Sequence, residues 1–260
     1  MGIINLTPDS FFKGSRNSSD KSLLTAVEKM ILDGATIIDV GGYSTRPNAE
    51  FVSQDEEILR LSRGLEVILA KFPEIIISID TFRSSVVRNI VNNFNIAMVN
   101  DIGGGTLDDL MFETIADLNL SYVLMHIKGN PKNMQYMTNY NDIVSEIIHF
   151  FEKKISQLRL LGVNDIIIDP GFGFAKTIEQ NYLILSKLHY FKELNVPILA
   201  GLSRKSMLYN LLNIDSGDAL NASTSANTLA LVEGASIIRV HDVKEAMQAI
   251  SIFNKYSEKI

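Results

Sequence analysis

The sequence predicts a closed (β/α)8 TIM barrel forming a single domain, and three observations carry that expectation. Eight compact runs rich in Ile, Val and Leu recur along 260 residues. Stretches with apolar residues at helical spacing separate these runs. Each run ends in polar or ionisable residues. Apolar strands that alternate with helices indicate a parallel sheet covered on its outer face. Eight such units in a chain of this length fit a closed barrel better than an open doubly wound sheet, which is the alternative this pattern leaves.

In chain order, the first run is GIINLT (2–7), whose strand ends at Asn5. ATIIDVGG (35–42) ends at Asp39-Val-Gly-Gly, EIIISIDT (74–81) at Asp80-Thr81, and IAMVNDIGG (96–104) at Asn100-Asp101. SYVLMHIKG (121–129) delivers Met125-His126, and DIIIDPGFG (165–173) delivers Asp169-Pro170-Gly171. VPILAGLS (196–203) leads into Ser203-Arg204-Lys205-Ser206, and ASIIRVHD (235–242) ends at Arg239-Val-His241-Asp242. The intervening helices are expected over 23–32, 55–71, 84–93, 107–118, 143–161, 178–188 and 219–233. Asp33-Gly34, Leu161-Gly162 and Glu233-Gly234 each place Gly between a helix and the next strand, where a left-handed residue ends a helix.

Composition narrows the class. The chain is 46% hydrophobic and 21% charged, which is ordinary for a globular protein. With no Cys there is no disulfide framework, thiolate nucleophile or zinc–cysteine site. The net charge of −6 has acids and bases interspersed, so no basic field attracts nucleic acid. No apolar run of about 18 residues and no signal-peptide pattern is visible, so no membrane association is expected and the cytoplasm is the expected location.

In a barrel the C-terminal strand ends converge on one face, where active sites lie. Any one Asp there could simply cap the next helix. Polar ends on all eight runs, some directly after Ile-Ile-Ile, point instead to a functional face. Asp80, Asn100 and Asp169 suit a ring edge with N–H donors and acceptors, because a carboxylate accepts two parallel bonds. Lys205 offers donors to a ring carbonyl. Arg46, Arg239 and His241 suit phosphate oxygens or a planar ring. Residue types alone therefore indicate a flat heterocycle with an anionic tail.

Other chemistries lack their motifs. Gly171-Phe-Gly173 has Lys176 where a dinucleotide fingerprint needs its third Gly, and Gly103-Gly104-Gly105 lacks the Lys-Ser/Thr of a phosphate loop. The four His residues, 126, 149, 189 and 241, show no metal-ligand spacing. His149 and His189 fall in helical patterns, and His126 suits either a core position or the site wall. No Ser stands in a nucleophile elbow.

The strand-end motifs resemble dihydropteroate synthase. They are MGIINLTPDSFF (1–12), IDVGGYSTRP (38–47), SIDTFR (78–83), VNDIGGG (99–105), LMHIKGNPKNMQ (124–135), IIDPGFGFAK (167–176), GLSRKS (201–206) and IIRVHDV (237–243). The resemblance implies condensation of 6-hydroxymethyl-7,8-dihydropterin pyrophosphate with 4-aminobenzoate to 7,8-dihydropteroate. It also implies a homodimer, and Asp80, Asn100, Met125, Asp169, Lys205 and Arg239 around the pterin. Asn5, Arg46, Arg239 and His241 would hold the pyrophosphate, with Asn5 also approaching Mg2+. Phe11, Thr45, Pro47, Phe174, Lys205 and Ser206 would receive the aminobenzoate, and 7–13 and 45–47 match two loops that close over the substrates. Asp80, Lys205, Arg46 and His241 would carry the chemistry, a dissociative substitution at the pterin methylene. The expected organisation is one pterin-binding barrel over 1–260, either alone or as the synthase portion of a longer multifunctional folate enzyme. A methyltetrahydrofolate methyltransferase would share the Asp/Asn clamp but has no need of SRKS or RVHDV. A non-catalytic paralogue would have lost some of these groups.

Overall fold

The computed structural model describes residues 1–6, 16–43 and 51–258. Its strands are β1 (Gly2–Asn5), β2 (Ile37–Gly41), β3 (Ile76–Asp80), β4 (Met98–Asp101), β5 (Ser121–Met125), β6 (Ile166–Asp169), β7 (Leu199–Ala200) and β8 (Ile237–Ile238). The helices are α1 (Arg16–Leu32), α2 (Gln54–Lys71), α3 (Ser84–Asn93), α4 (Met111–Leu118), α5 (Ile143–Leu160), α6 (Ile178–Ser186), α7 (Ser206–Leu212), α8 (Leu220–Val232) and α9 (Val243–Ser257).

Strands β1 to β6 pair in sequence order and in parallel, and β7 pairs with β8. Two bridges join these pieces into a ring. Ile168 meets Ile198 between β6 and β7, and Gly2 meets Val240 between β8 and β1. The Ile168 N–H donates to Pro197 O at 2.9 Å, and the Ile3 N–H donates to Val240 O at 3.0 Å. The eight predicted strands are therefore present, but the last two are far shorter than their apolar runs. Burial makes those runs apolar, whereas ladder length depends on pairing, and Pro197 brings no N–H to the ladder.

Alternation along each strand separates two cores. Ile38 and Val40, Ile77 and Ile79, and Ile166 and Ile168 face outward and bury against helices. Met98, Val123, Ile167 and Leu199 face inward and fill the barrel floor, with Met1, Ile37 and Ile237 packed beside them. The polar residues sit on this same inward face, nearer the C-terminal ends.

Helix boundaries follow local chemistry. Ser53 Oγ accepts the Glu56 N–H at 3.2 Å and starts α2, while Thr177 and Gln180 form a reciprocal capping box on α6. The helix expected over 107–118 begins only at Met111. Asp108 accepts the Ser84 N–H at 2.7 Å and the Leu110 N–H at 3.0 Å, which holds the preceding residues in a turn. The stretch expected over 178–188 stops at Ser186 and tightens into three-residue turns over Leu188–Leu194. Helix α1 starts earlier than expected, and α7 and α9 lie outside the expected stretches. The three predicted helix-ending glycines all have positive φ, from 88° at Gly162 to 106° at Gly234. Among the described residues, no helix is long and apolar enough to cross a membrane.

Candidate active site

Strand register assembles the site. Asn5 lies opposite Gly41, Gly41 opposite Asp80, and Asp80 opposite Asn100, so one level of the barrel carries Asn5, Asp80 and Asn100. Gly41 leaves this row open. A Cβ there would stand 3.4 Å from Asp80 Cβ and 3.7 Å from Asn5 Oδ1. On the far side Met125 lies opposite Asp169. One level deeper, Asp39 lies opposite Ser78.

Asp39 is the hub of this layer and is 0% exposed. It accepts from Ser78 Oγ at 2.6 Å, from Asn100 Nδ2 at 2.9 Å and from Arg239 Nε at 2.6 Å. Arg239 spans to Asp80 as well, its Nη2 lying 2.6 Å from Asp80 Oδ2. The neighbouring Asp39 and Asp80 carboxylates outweigh its burial and hold the Arg239 guanidinium above its ordinary range. Burial pushes Asp80 up to about 7, opposed by Arg239 and reinforced by Asp39. Burial raises Asp169 too, while the Gly171 N–H, Lys205 and Arg239 pull it back. The Gly171 N–H donates to Asp169 Oδ1 at 2.7 Å.

The wall beside this floor is the loop after β6. Lys205 Nζ donates to Phe172 O at 2.5 Å and lies 4.3 Å from the centre of the Phe174 ring. Burial lowers Lys205 to about 8, opposed chiefly by Asp169. Met125 is buried and clusters with Ile102, Ile127, Met134 and Ala175, with Phe174 packed against them. Gly171 has a φ of 73°, and a Cβ there would collide with the His126 carbonyl. The GxG motif is thus a tight turn, as its missing third Gly implied.

The β7–β8 sector carries the remaining cations. Ser203 Oγ pairs with His241 Nδ1 at 3.0 Å and accepts the His241 backbone N–H at 3.2 Å. Arg204 grips Asp242 through Nε and Nη2, both at 2.9 Å, and donates through Nη1 to Ser216 O and Gly217 O. Ser206 is exposed at the start of α7. Phe11, Thr45, Arg46 and Pro47 lie outside the described residues.

Of the expected residues, Asn5, Asp80, Asn100, Met125, Asp169, Phe174, Lys205 and Arg239 therefore share one mouth. Sequence reasoning named Asp39 at a strand end but gave it no role. The signal available was its inward position, two residues before Gly41. Arg204 and Asp242 were likewise read within motifs without a function. Asp101 turns out to be a scaffold residue: it accepts from the Gly103 N–H at 2.6 Å, the Gly105 N–H at 2.8 Å and Tyr122 Oη at 2.5 Å. His149 is exposed on α5, and His189 lies 2.5 Å from Glu233 in the short turns after α6.

This arrangement offers carboxylate and amide acceptors to a planar donor edge, flanked by a guanidinium and an amine. Comparison with known proteins points the same way. Residues 1–241 match the family model described as pterin binding enzyme. The chain is 40% identical over 254 residues to a dihydropteroate synthase of Escherichia coli (strain K12), spanning 97% of this chain and 89% of that protein. A solved Yersinia pestis dihydropteroate synthase with a sulfonamide drug complex aligns at a TM-score of 0.91 and 36% identity, covering 99% of this chain and 94% of that one. A Xanthomonas albilineans dihydropteroate synthase with 4-aminobenzoic acid aligns at a TM-score of 0.90 and 33% identity, covering 99% and 92% respectively.

Proposed function

The chain belongs to the pterin binding enzyme family, and we propose residue roles for the dihydropteroate synthase reaction it catalyses. That reaction joins 4-aminobenzoate to 6-hydroxymethyl-7,8-dihydropterin pyrophosphate, giving 7,8-dihydropteroate and pyrophosphate. The observation that carries the assignment of roles is the Asp39–Arg239–Asp80 bridge, with Asn100 bonded to the same Asp39 oxygen as Arg239.

Asp169 and Asn100 take the amino-pyrimidinone edge of the pterin, and Lys205 donates to its ring carbonyl. Met125 packs against the ring, and Arg239 stacks over it. The pyrophosphate lies toward Asn5, Arg46 and His241. Phe11, Thr45, Pro47 and Phe174 enclose the aminobenzoate ring, and Ser206 meets its carboxylate.

Bond cleavage comes first. The methylene C–O bond breaks, and pyrophosphate takes the electron pair while Arg46 and His241 offset its growing charge. The cation left behind is delocalised into the dihydropterin, where the Asp80 carboxylate stabilises it. The amine of 4-aminobenzoate, unprotonated at neutral pH, then attacks the methylene and gives its proton to solvent. Positioning and fixed charge do the catalytic work, without a protein nucleophile.

Mg2+ fits as a companion of the pyrophosphate. Among the described residues no group of three or more His, Asp or Glu could hold a metal alone. Asn5 contributes one amide oxygen at the mouth, which suits an ion that keeps its waters and takes most ligands from substrate phosphates. Bound there, Mg2+ would supply positive charge beside the leaving group. A single barrel domain, a homodimeric state and a cytoplasmic location complete the proposal.

A pyrophosphate-release assay with both substrates and Mg2+ tests it. Release should require both substrates, and folded protein that releases none would overturn the reading.

A further inference from the structure

Lys176 sits beneath the loop after β6, in a position that none of these roles uses. It is 8% exposed, and its Nζ meets three acceptors: Gly171 O at 3.0 Å, Phe174 O at 2.9 Å and His126 Nδ1 at 3.1 Å. His126 is 5% exposed and stands edge-on to Phe150, their centres 5.0 Å apart. Burial, with Lys176 and Lys128 nearby, keeps His126 well below its usual range. The ring is therefore neutral, and with Lys176 donating, Nδ1 is the acceptor.

The loop needs such help because of its backbone. Gly171, Ala175 and Gly173 have φ of 73°, 51° and 79°, and this alternation prevents a continuous hydrogen-bonded ladder. Only the turn bond from the Phe174 N–H to Gly171 O, at 3.1 Å, closes within it. Buried carbonyls still require donors. Side chains supply them: Lys176 to Gly171 O and Phe174 O, Lys205 to Phe172 O, and Tyr140 Oη to Ala175 O at 3.0 Å. On the donor side, the Gly173 N–H reaches Asn181 Oδ1 at 2.7 Å.

We propose that Lys176 is a positioning residue for the aminobenzoate wall: it holds the carbonyls on either side of Phe172 and Gly173, and so fixes the Phe172 oxygen and the Phe174 ring that station the Lys205 ammonium. The inference rests on the assignment of Phe174 and Lys205 to the aminobenzoate. A single buried Nζ brings its N–H donors to one point, so one side chain satisfies the Gly171 and Phe174 carbonyls together.

The experiment compares Lys176→Met with Phe174→Ala in the whole protein, reading amide hydrogen exchange over residues 171–175 and the KM of each substrate. In Lys176→Met, exchange should rise and KM for 4-aminobenzoate should increase about tenfold, as expected for the loss of buried hydrogen bonds. KM for the dihydropterin pyrophosphate should not change. Exchange that stays at the wild-type rate in folded Lys176→Met overturns the inference. So does a KM for aminobenzoate that rises in Phe174→Ala but not in Lys176→Met. Faster exchange in Lys176→Met, with that KM unchanged in both variants, keeps the loop clasp and rejects the aminobenzoate assignment instead. If Lys176→Met does not fold, Lys176→Gln retains an N–H donor; its exchange and its KM for 4-aminobenzoate should still exceed those of the wild type, and wild-type exchange in it overturns the inference.

Discussion

The floor of the barrel mouth and the wall beside it hold their charges in different ways. On the floor, charge meets charge: Asp39 and Asp80 share Arg239, each at 2.6 Å. On the wall, charge meets dipole: Lys176 and Lys205 donate to backbone carbonyls. The guanidinium is held above its ordinary range by its carboxylates, whereas the two amines fall to about 7 and about 8 because burial dominates. Floor groups therefore depend on one another, and losing one leaves a buried charge uncompensated. Among the described residues the wall amines have no ion-pair partner of that kind, so burial brings both of them down toward neutrality.

The most severe way to break this contrast is at the hub. Asp39→Ala removes the acceptor for Ser78, Asn100 and Arg239 together. Breaking one partner out of a buried ion pair costs about 3–5 kcal/mol, so urea unfolding should shift by that order. Pyrophosphate release should fall by at least about 100-fold, since loosening Arg239 also frees Asp80. Near-wild-type stability would show that the floor is not a single unit.

Asp169→Asn is a milder change to the pterin edge. The amide oxygen can still accept the Gly171 N–H, which keeps the loop in place, but a carboxylate becomes a neutral amide. Binding of the dihydropterin substrate should weaken by about 10- to 100-fold, the range for losing a charged hydrogen bond. KM for 4-aminobenzoate should be little affected, which a two-substrate titration will show.

This floor was largely legible in the sequence. Asp80, Asn100 and Asp169 stand at the ends of apolar runs, where a polar residue entering a core needs a reason. The part that was not legible is long-range. Asp39 finds Arg239 across 200 positions, and only closure of β8 against β1 brings the two together. The wall was harder still to read. Lys176 appears in the sequence only as the residue that spoils a glycine fingerprint, because its partners are backbone carbonyls whose direction is set by φ. Strand length also escaped, since inward-facing residues such as Val123 and Leu199 are buried whether or not their neighbours extend the ladder.

On the wall, Ser206→Ala sharpens the comparison with a smaller effect. Ser206 is exposed, so its removal leaves no buried group stranded. KM for 4-aminobenzoate should rise about three- to tenfold, in line with one hydrogen bond to a charged group, with pterin binding unchanged. A selective loss of pterin binding would place Ser206 on the wrong substrate.

The gentlest test is titration of the wall itself. Lys176 falls to about 7 in the folded protein, against 10.5 for an ordinary lysine. Between these values the unfolded chain binds a proton that the folded chain has released. Stability therefore rises with pH across this window, and below about 7 no further change comes from this group. Lys205, at about 8, adds a rise of the same sign over the upper part of the window. The groups facing Lys176 include neutral His126, Asp169 and Lys205. Lys176→Met deletes the Lys176 contribution, so urea midpoints measured from pH 7 to pH 10 should climb less steeply in the variant than in the wild type. Parallel curves would mean that Lys176 keeps an ordinary lysine's proton in the folded protein.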